Sequence, residues 1–161
     1  MIRLIAAIDE KRGMANDHGI PWHGKTPTDV REFRQKIQNG NVLMGLVTYK
    51  EYTAPPSHHR NLVLNDTDDP LRPGFEEVPD LPALLRDTTE DLWVIGGAGV
   101  FAETIGKADE LHLTRLEGDF QCTKFFPEFE ADFVRVSQSK PLTENGITYR
   151  FEVWKRHTPK A

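Results

Sequence analysis

Four short, largely apolar runs constrain this chain more than any other feature: Ile2 to Ile8, Asn41 to Gly45, Asn61 to Leu64 and Leu92 to Ile95. Each has the length of a strand, and none alternates cleanly between apolar and polar residues. That pattern belongs to strands covered on both faces, as in a parallel sheet. Helical patterns lie between them: Pro27 to Ile37, Val47 to Tyr52, Leu81 to Arg86, and a helix from the glycine cluster to about Ile105. Glu110 to Leu116 alternates well enough to be a further strand. Phe133 to Val136 and Ile147 to Trp154, separated by Thr143-Glu144-Asn145-Gly146, suggest an antiparallel hairpin closing the sheet. The expected architecture is therefore α/β. One domain over residues 1–161 has a central, mixed, mostly parallel sheet flanked by helices and ending in that hairpin.

A chain of 161 residues can bury roughly 70% of its unfolded surface, enough for a core without staples. Cys122 is the only cysteine, so no internal disulfide can form, and no Cys/His group has the spacing of a metal site. Twenty Lys plus Arg against twenty-five Asp plus Glu give a net charge of −5, with no basic stripe interleaved with aromatics. Nucleic acid is not an expected partner. No transmembrane run is present, and Met1 to Ile8 is too short for a signal region and is followed at once by Asp9-Glu10-Lys11-Arg12. A cytoplasmic protein is expected.

The stretch from Ile20 to Ile37 carries the most chemistry. A Pro21-Trp22 corner feeds a helix in which Val30, Phe33 and Ile37 make an apolar stripe. Asp29 lies four residues before Phe33 and borders that stripe. A carboxylate held against an apolar wall is costly to ionise, so its pKa is expected to rise, which suits a proton donor at neutral pH. A structural role is equally consistent: Thr26 as N-cap, Pro27 in the first helical position and Asp29 completing a capping box. The preceding loop, Asp9 to Lys25, is long for a compact domain, and its turn would bring Ile20 and Trp22 over whatever Asp29 faces.

Two strands end in glycine, at Gly45 and at Gly96-Gly97. The second opens into Ala98-Gly99-Val100-Phe101-Ala102, a Gly-x-Gly-x-x-Ala pattern leading into a helix. Such a turn admits a pyrophosphate close to the backbone, or serves only as a tight strand-to-helix connection. A full dinucleotide-binding Rossmann fold fits poorly, because the motif arrives late and little chain follows. The two glycine ends can instead sit side by side at the carboxyl edge of one sheet, where ligands of open α/β sheets bind.

Taken in order, Leu4-Ile5-Ala6-Ala7, Ile20-Pro21-Trp22, Pro27-Thr28-Asp29 with Phe33, Met44-Gly45 with Thr48, Asn61-Leu62-Val63-Leu64, Ile95-Gly96-Gly97, Leu113-Thr114 and Phe126-Pro127 resemble dihydrofolate reductase over nearly the whole chain. The resemblance implies hydride transfer from NADPH to dihydrofolate by a monomer with no metal. It implies catalytic roles for Asp29, Trp22 and Thr114: Asp29 on the pterin's amino group and ring nitrogen, helping a proton reach N5, Thr114 in the same network, and Trp22 closing the lid and positioning a water. Ile5, Ala7, Ile20, Phe33, Tyr52 and Ile95 would wall the pterin and nicotinamide. Ala7, Gly45, Thr48, Leu64, Asn65 and Gly96, Gly97, Ala98, Gly99, Val100 and Phe101 would hold the dinucleotide, with a cis Gly96-Gly97 peptide. The alternatives are a related reductase of another pterin or a riboflavin-pathway pyrimidine, or a binding module without catalysis.

Four departures from the family pattern stand out. The link from Trp22 to Asp29 is longer, with Gly24-Lys25 or neighbours inserted. Leu46-Val47 follows Met44-Gly45 where a basic residue usually meets the NADPH 2′-phosphate. Asp66 and Gly99 stand where a hydroxyl residue and a cation often help, so NADH use is open as well. Finally, His59-Arg60-Asn61 replaces Arg-x-Asn, whose Arg forks onto the folate glutamate. Neighbouring side chains on a strand face opposite ways, so Arg60 does not simply substitute. His59 is either a weaker, pH-dependent cation or part of a solvated turn.

Overall fold

The computed structural model describes residues 1–161. Its strands are β1 (Ile2–Ile8), β2 (Gly13–Ala15), β3 (Asn41–Gly45), β4 (Asn61–Leu64), β5 (Glu76–Glu77), β6 (Leu92–Val94), β7 (Glu110–Leu116), β8 (Lys124–Phe125), β9 (Phe133–Gln138), β10 (Leu142–Glu144) and β11 (Ile147–Arg156). Its helices are α1 (Pro27–Ile37), α2 (Leu46–Tyr49), α3 (Leu81–Asp87) and α4 (Ala98–Thr104). One sheet runs in the order β10-β11-β7-β1-β6-β3-β4-β5, with β9 also on β11. From β7 through β5 all pairings are parallel, and those of β11 are antiparallel, as expected.

The apolar runs read as they do because both faces of the central strands are covered. Along β1, Leu4 and Ile8 enter one buried cluster with Val94, Leu111, Phe101 and Phe126, while Ile5 enters another with Val42, Met44, Trp93 and Ile95. Along β3, Leu43 joins the first cluster and its neighbours Val42 and Met44 the second. With a side-chain period of two, each strand feeds two cores at once. Helix α4 packs on the first cluster through Val100 and Phe101, and α1 on the second through Ile37 and Phe33. Helices on opposite faces leave a crevice at the carboxyl edge.

Several elements depart from expectation. The loop after β1 contains β2, which pairs with β8 in a separate two-stranded ribbon. Buried Asp9 anchors it: its carboxylate accepts from the backbone N–H groups of Gly13 (2.8 Å), Lys11 (2.9 Å) and Phe120 (3.0 Å). Helix α2 starts a residue early and stops at Tyr49, where Arg72 donates to the carbonyls of Tyr49 (2.7 Å) and Tyr52. The closing hairpin is split: β10 and β9 lie along successive stretches of β11, broken at Ser139 to Pro141, where Ser139 Oγ accepts from the Phe151 N–H at 2.9 Å. In α1 the expected buried stripe is only partly buried. Ile37 is 1% exposed, but Val30 is 39% exposed, because that face meets a cavity rather than the sheet.

Candidate active site

A cavity of about 1070 Å³ opens at the carboxyl edge. The strands contribute Ile5 and Ala7 from β1, Leu113 and Thr114 from β7, Gly45 from the end of β3 and Ile95 just after β6. Helix α1 contributes Asp29 and Phe33, α2 contributes Thr48, and Tyr52 follows it. The loop after β1 covers the mouth with Ile20 and Trp22. Trp22 is 4% exposed and held edge-on by Phe120, with ring centroids 5.2 Å apart.

Asp29 is the group with chemistry on this wall. Its position on α1 follows from Pro27 at the helix start, but the capping box expected there does not form. Thr26 sits at the N-cap without a side-chain hydrogen bond, and the Asp29 carboxylate turns to the sheet instead. There the Thr114 hydroxyl donates to Asp29 Oδ1 at 2.6 Å. Burial drives the Asp29 carboxyl above its ordinary range. The Thr114 hydrogen bond and the charge of Lys36 oppose that rise, and Glu144 and Glu32 add to it. An acid so placed keeps its proton toward higher pH and can pass it to a bound ring.

Behind Phe33 the wall is polar. Lys36 Nζ lies 3.2 Å from His112 Nδ1, and His112 Nε2 lies 3.1 Å from Glu110 Oε1, itself bound to Arg3 at 2.9 Å. The pattern fits a neutral imidazole donating from Nε2 to Glu110 and accepting the Lys36 ammonium at Nδ1. Burial lowers the pKa of both Lys36 and His112. Tyr52, on the same cavity, has its phenol pushed up to about 12 by burial.

The opposite end of the cavity is built from glycine. The Gly45 N–H donates to Gly96 O at 2.7 Å, locking the two strand ends together, and the Gly96-Gly97 peptide is cis. A Cβ on Gly45 would come within 2.8 Å of Val100 Cγ2, so a larger residue there would have to displace Val100. Gly96 has φ +121°, a conformation that L side chains rarely adopt, and a Cβ there would stand 3.3 Å from Thr48 Oγ1. Gly99 faces open space. Ala98 to Phe101, Leu64 and Asn65 complete this end. The bare backbone and the Thr48 hydroxyl fit the phosphates of a dinucleotide. Leu46, Val47 and Asp66 line the rim, and the lysines of the cavity wall, Lys36 and Lys124, lie on other segments.

His59 and Arg60 lie outside the cavity. Arg60 forks onto Glu76 through Nε (3.1 Å) and Nη2 (3.0 Å), and His59 is exposed. Every other expected site residue lines the cavity. Lys36, His112 and Glu144 were not foreseen. Helical spacing from Asp29 could have flagged Lys36, seven residues on along the same face, whereas Glu144, 115 positions beyond Asp29, carries no local signal.

The sequence profile of the family described as Dihydrofolate reductase matches residues 1–156. The Bacillus subtilis (strain 168) dihydrofolate reductase is 28% identical over 167 residues, covering 100% of this chain and 98% of that protein. The Salmonella typhimurium dihydrofolate reductase type 3 is 32% identical over 131 residues, 80% of each chain. Among solved structures, Enterococcus faecalis dihydrofolate reductase, complexed with NADP(H) and RAB-propyl, superposes with a TM-score of 0.83 at 23% identity, covering 98% of this chain and 97% of that one. These similarities favour a folate reductase over a riboflavin-pathway pyrimidine reductase.

Proposed function

The chain belongs to the dihydrofolate reductase family, and from that premise we propose that it reduces 7,8-dihydrofolate to 5,6,7,8-tetrahydrofolate at the cavity beside Asp29. The observation that carries the reading is the Asp29 carboxyl on the cavity wall, held by Thr114 at 2.6 Å. A bound reduced nicotinamide dinucleotide supplies the hydride for pterin C6. Everything else is work for the chain itself. Ile5, Ala7, Ile20, Phe33, Tyr52 and Ile95 hold two flat rings against each other and keep water out. Thr114 donates to Oδ1, which leaves Oδ2 to carry the proton and to engage the pterin's amino group and ring nitrogen. As Oδ2 gives its proton up toward N5, the Thr114 hydroxyl stabilises the carboxylate left behind. Trp22 seals the mouth and orients a water for that transfer.

Gly45, Thr48, Leu64, Asn65 and Gly96 to Phe101 would hold the dinucleotide. The E. faecalis relative is described with NADP(H), and NADPH is the first expectation here. With Leu46, Asp66 and Gly99 at the rim in place of cations, we read discrimination against NADH as weak. With Arg60 committed to Glu76, we also read recognition of the folate glutamate as weak. A cytoplasmic monomer of one domain belongs to the same proposal. No helix is long and apolar enough to cross a membrane.

The test is absorbance at the reduced-nicotinamide band with purified protein, dihydrofolate and each cofactor. Substrate-dependent oxidation supports the proposal. Tight antifolate binding with no oxidation would make the protein a binding module instead.

A further inference from the structure

We infer that Glu144, on the closing hairpin, is a positioning residue for the proton-donating step: its carboxylate clamps the first turn of α1 and so fixes where Asp29 points. The inference rests on the reading of Asp29 given above. The first turn of a helix has N–H groups with no partner inside the helix, and something must meet them. Thr26, the residue placed to do so, makes no side-chain cap. Glu144 does it from across the molecule: Oε1 accepts the Thr28 N–H at 3.1 Å and Oε2 accepts the Thr28 hydroxyl at 2.6 Å. A carboxylate is also the charge that a helix N-terminus favours.

The clamp is itself held. The Tyr149 phenol donates to Glu144 Oε1, and Tyr149 is fully buried on β11 opposite Leu116. At the hairpin tip, Asn145 Nδ2 donates to Lys25 O at 2.9 Å, just before the helix. Phe151, two residues beyond Tyr149, pairs with Thr114 on β7. Consecutive residues of α1 are therefore gripped from the two strands that flank β11: Thr28 by Glu144 on β10 and Asp29 by Thr114 on β7. Rotation of the helix start about its axis would have to break both.

Charge acts in the same place. Asp29 is faced by Glu32 and Lys36 on its own helix, Glu144 on β10, and Tyr149 on β11. Glu144 is faced by Arg31 and by the Thr28 and Tyr149 donors. Hydrogen bonds, first from Thr28 and then from Tyr149, hold the Glu144 carboxyl below its ordinary range, so it stays ionised. Its negative charge then favours the protonated form of Asp29.

Single-turnover hydride transfer across pH, with dihydrofolate and NADPH, tests this in Glu144→Ala, Glu144→Gln and Thr28→Val. Glu144→Ala should lose roughly tenfold in rate, with KM for NADPH within about twofold, as expected for a misplaced group rather than a damaged cofactor site. Glu144→Gln keeps the shape and removes the charge. Its loss should be smaller, and its rate should begin to fall at lower pH than wild type. Thr28→Val should slow transfer while leaving the pH profile in place. Wild-type rate and profile in both Glu144 variants would overturn the inference. Carbon-13 titration of the Asp29 carboxyl is independent of turnover: a lower midpoint in Glu144→Gln supports the inference, and an unchanged one overturns it. A wild-type protein that never oxidises NADPH would sink the reductase reading instead, while this titration would still report on the clamp.

Discussion

The Thr114 hydroxyl donates a 2.6 Å hydrogen bond to Asp29 Oδ1, joining the middle of β7 to the first turn of α1. The bond has two effects that pull apart. It orients the carboxyl toward the cavity, and it favours the ionised form against the burial that opposes it.

Removing the bond should therefore separate those effects. In Thr114→Val the opposition to burial is lost, so Asp29 holds its proton to still higher pH, and the high-pH decline of hydride transfer shifts upward. Orientation is lost at the same time, and the plateau rate should drop by about tenfold. A pH profile of single-turnover rates checks both. An unshifted decline with an unchanged plateau contradicts the role of Thr114.

Asp29 should also cost stability. Its native pKa is raised by burial above the ordinary 3.8, so between those two values the native state binds more protons than the unfolded state. Stability then falls as pH rises through that window and stays lower above it. Asp29→Asn carries no charge to bury. Its Tm should exceed that of wild type at pH 7, by about 2–4 °C for each kcal/mol relieved, and the two should converge near pH 3. Thermal unfolding at both pH values measures it, and a variant less stable at pH 7 refutes it.

Cofactor choice follows from the rim. With Leu46, Asp66 and Gly99 where a 2′-phosphate would need cations, the ratio of kcat/KM for NADPH over NADH should be modest. A preference of several hundredfold would demand about 3 kcal/mol from a charged contact that this rim does not provide. Steady-state kinetics with both cofactors decides it.

The substrate tail is the next discriminator. Arg60 is engaged by Glu76 at 3.0 Å and 3.1 Å, and His59 is exposed outside the cavity. Dihydrofolate and a pterin lacking the glutamyl tail should bind equally within a few fold, and Arg60→Ala should leave KM within about twofold, since an exposed ion pair contributes little. Strong tail dependence would show that another group recognises the carboxylate.

Much of this was legible in the chain because its signals are local. The apolar runs at Ile2, Asn41, Asn61 and Leu92 encode strands buried on two faces, and Gly45 and Gly96 mark backbone where a side chain would meet Val100 or need a strained conformation. Asp29 stood out by its apolar neighbours. What stayed hidden depends on pairing across the fold. The capping role expected of Thr26 passes to Glu144, 116 positions beyond Thr28, and no window in the sequence relates them. The ribbon of β2 and β8 was missed because strands of three and two residues leave no periodicity to read. Val30 fits the helical stripe yet faces the cavity, since spacing identifies an apolar face without saying whether protein or ligand covers it.

The account depends on the acid beside the ring, and single-turnover oxidation of NADPH by wild type and Asp29→Asn with dihydrofolate measures that directly. Wild type should transfer hydride at a rate that falls as pH rises through the raised Asp29 pKa. Asp29→Asn should be at least about 10²-fold slower at pH 7 and regain little at low pH. Equal rates with equal pH profiles would contradict it.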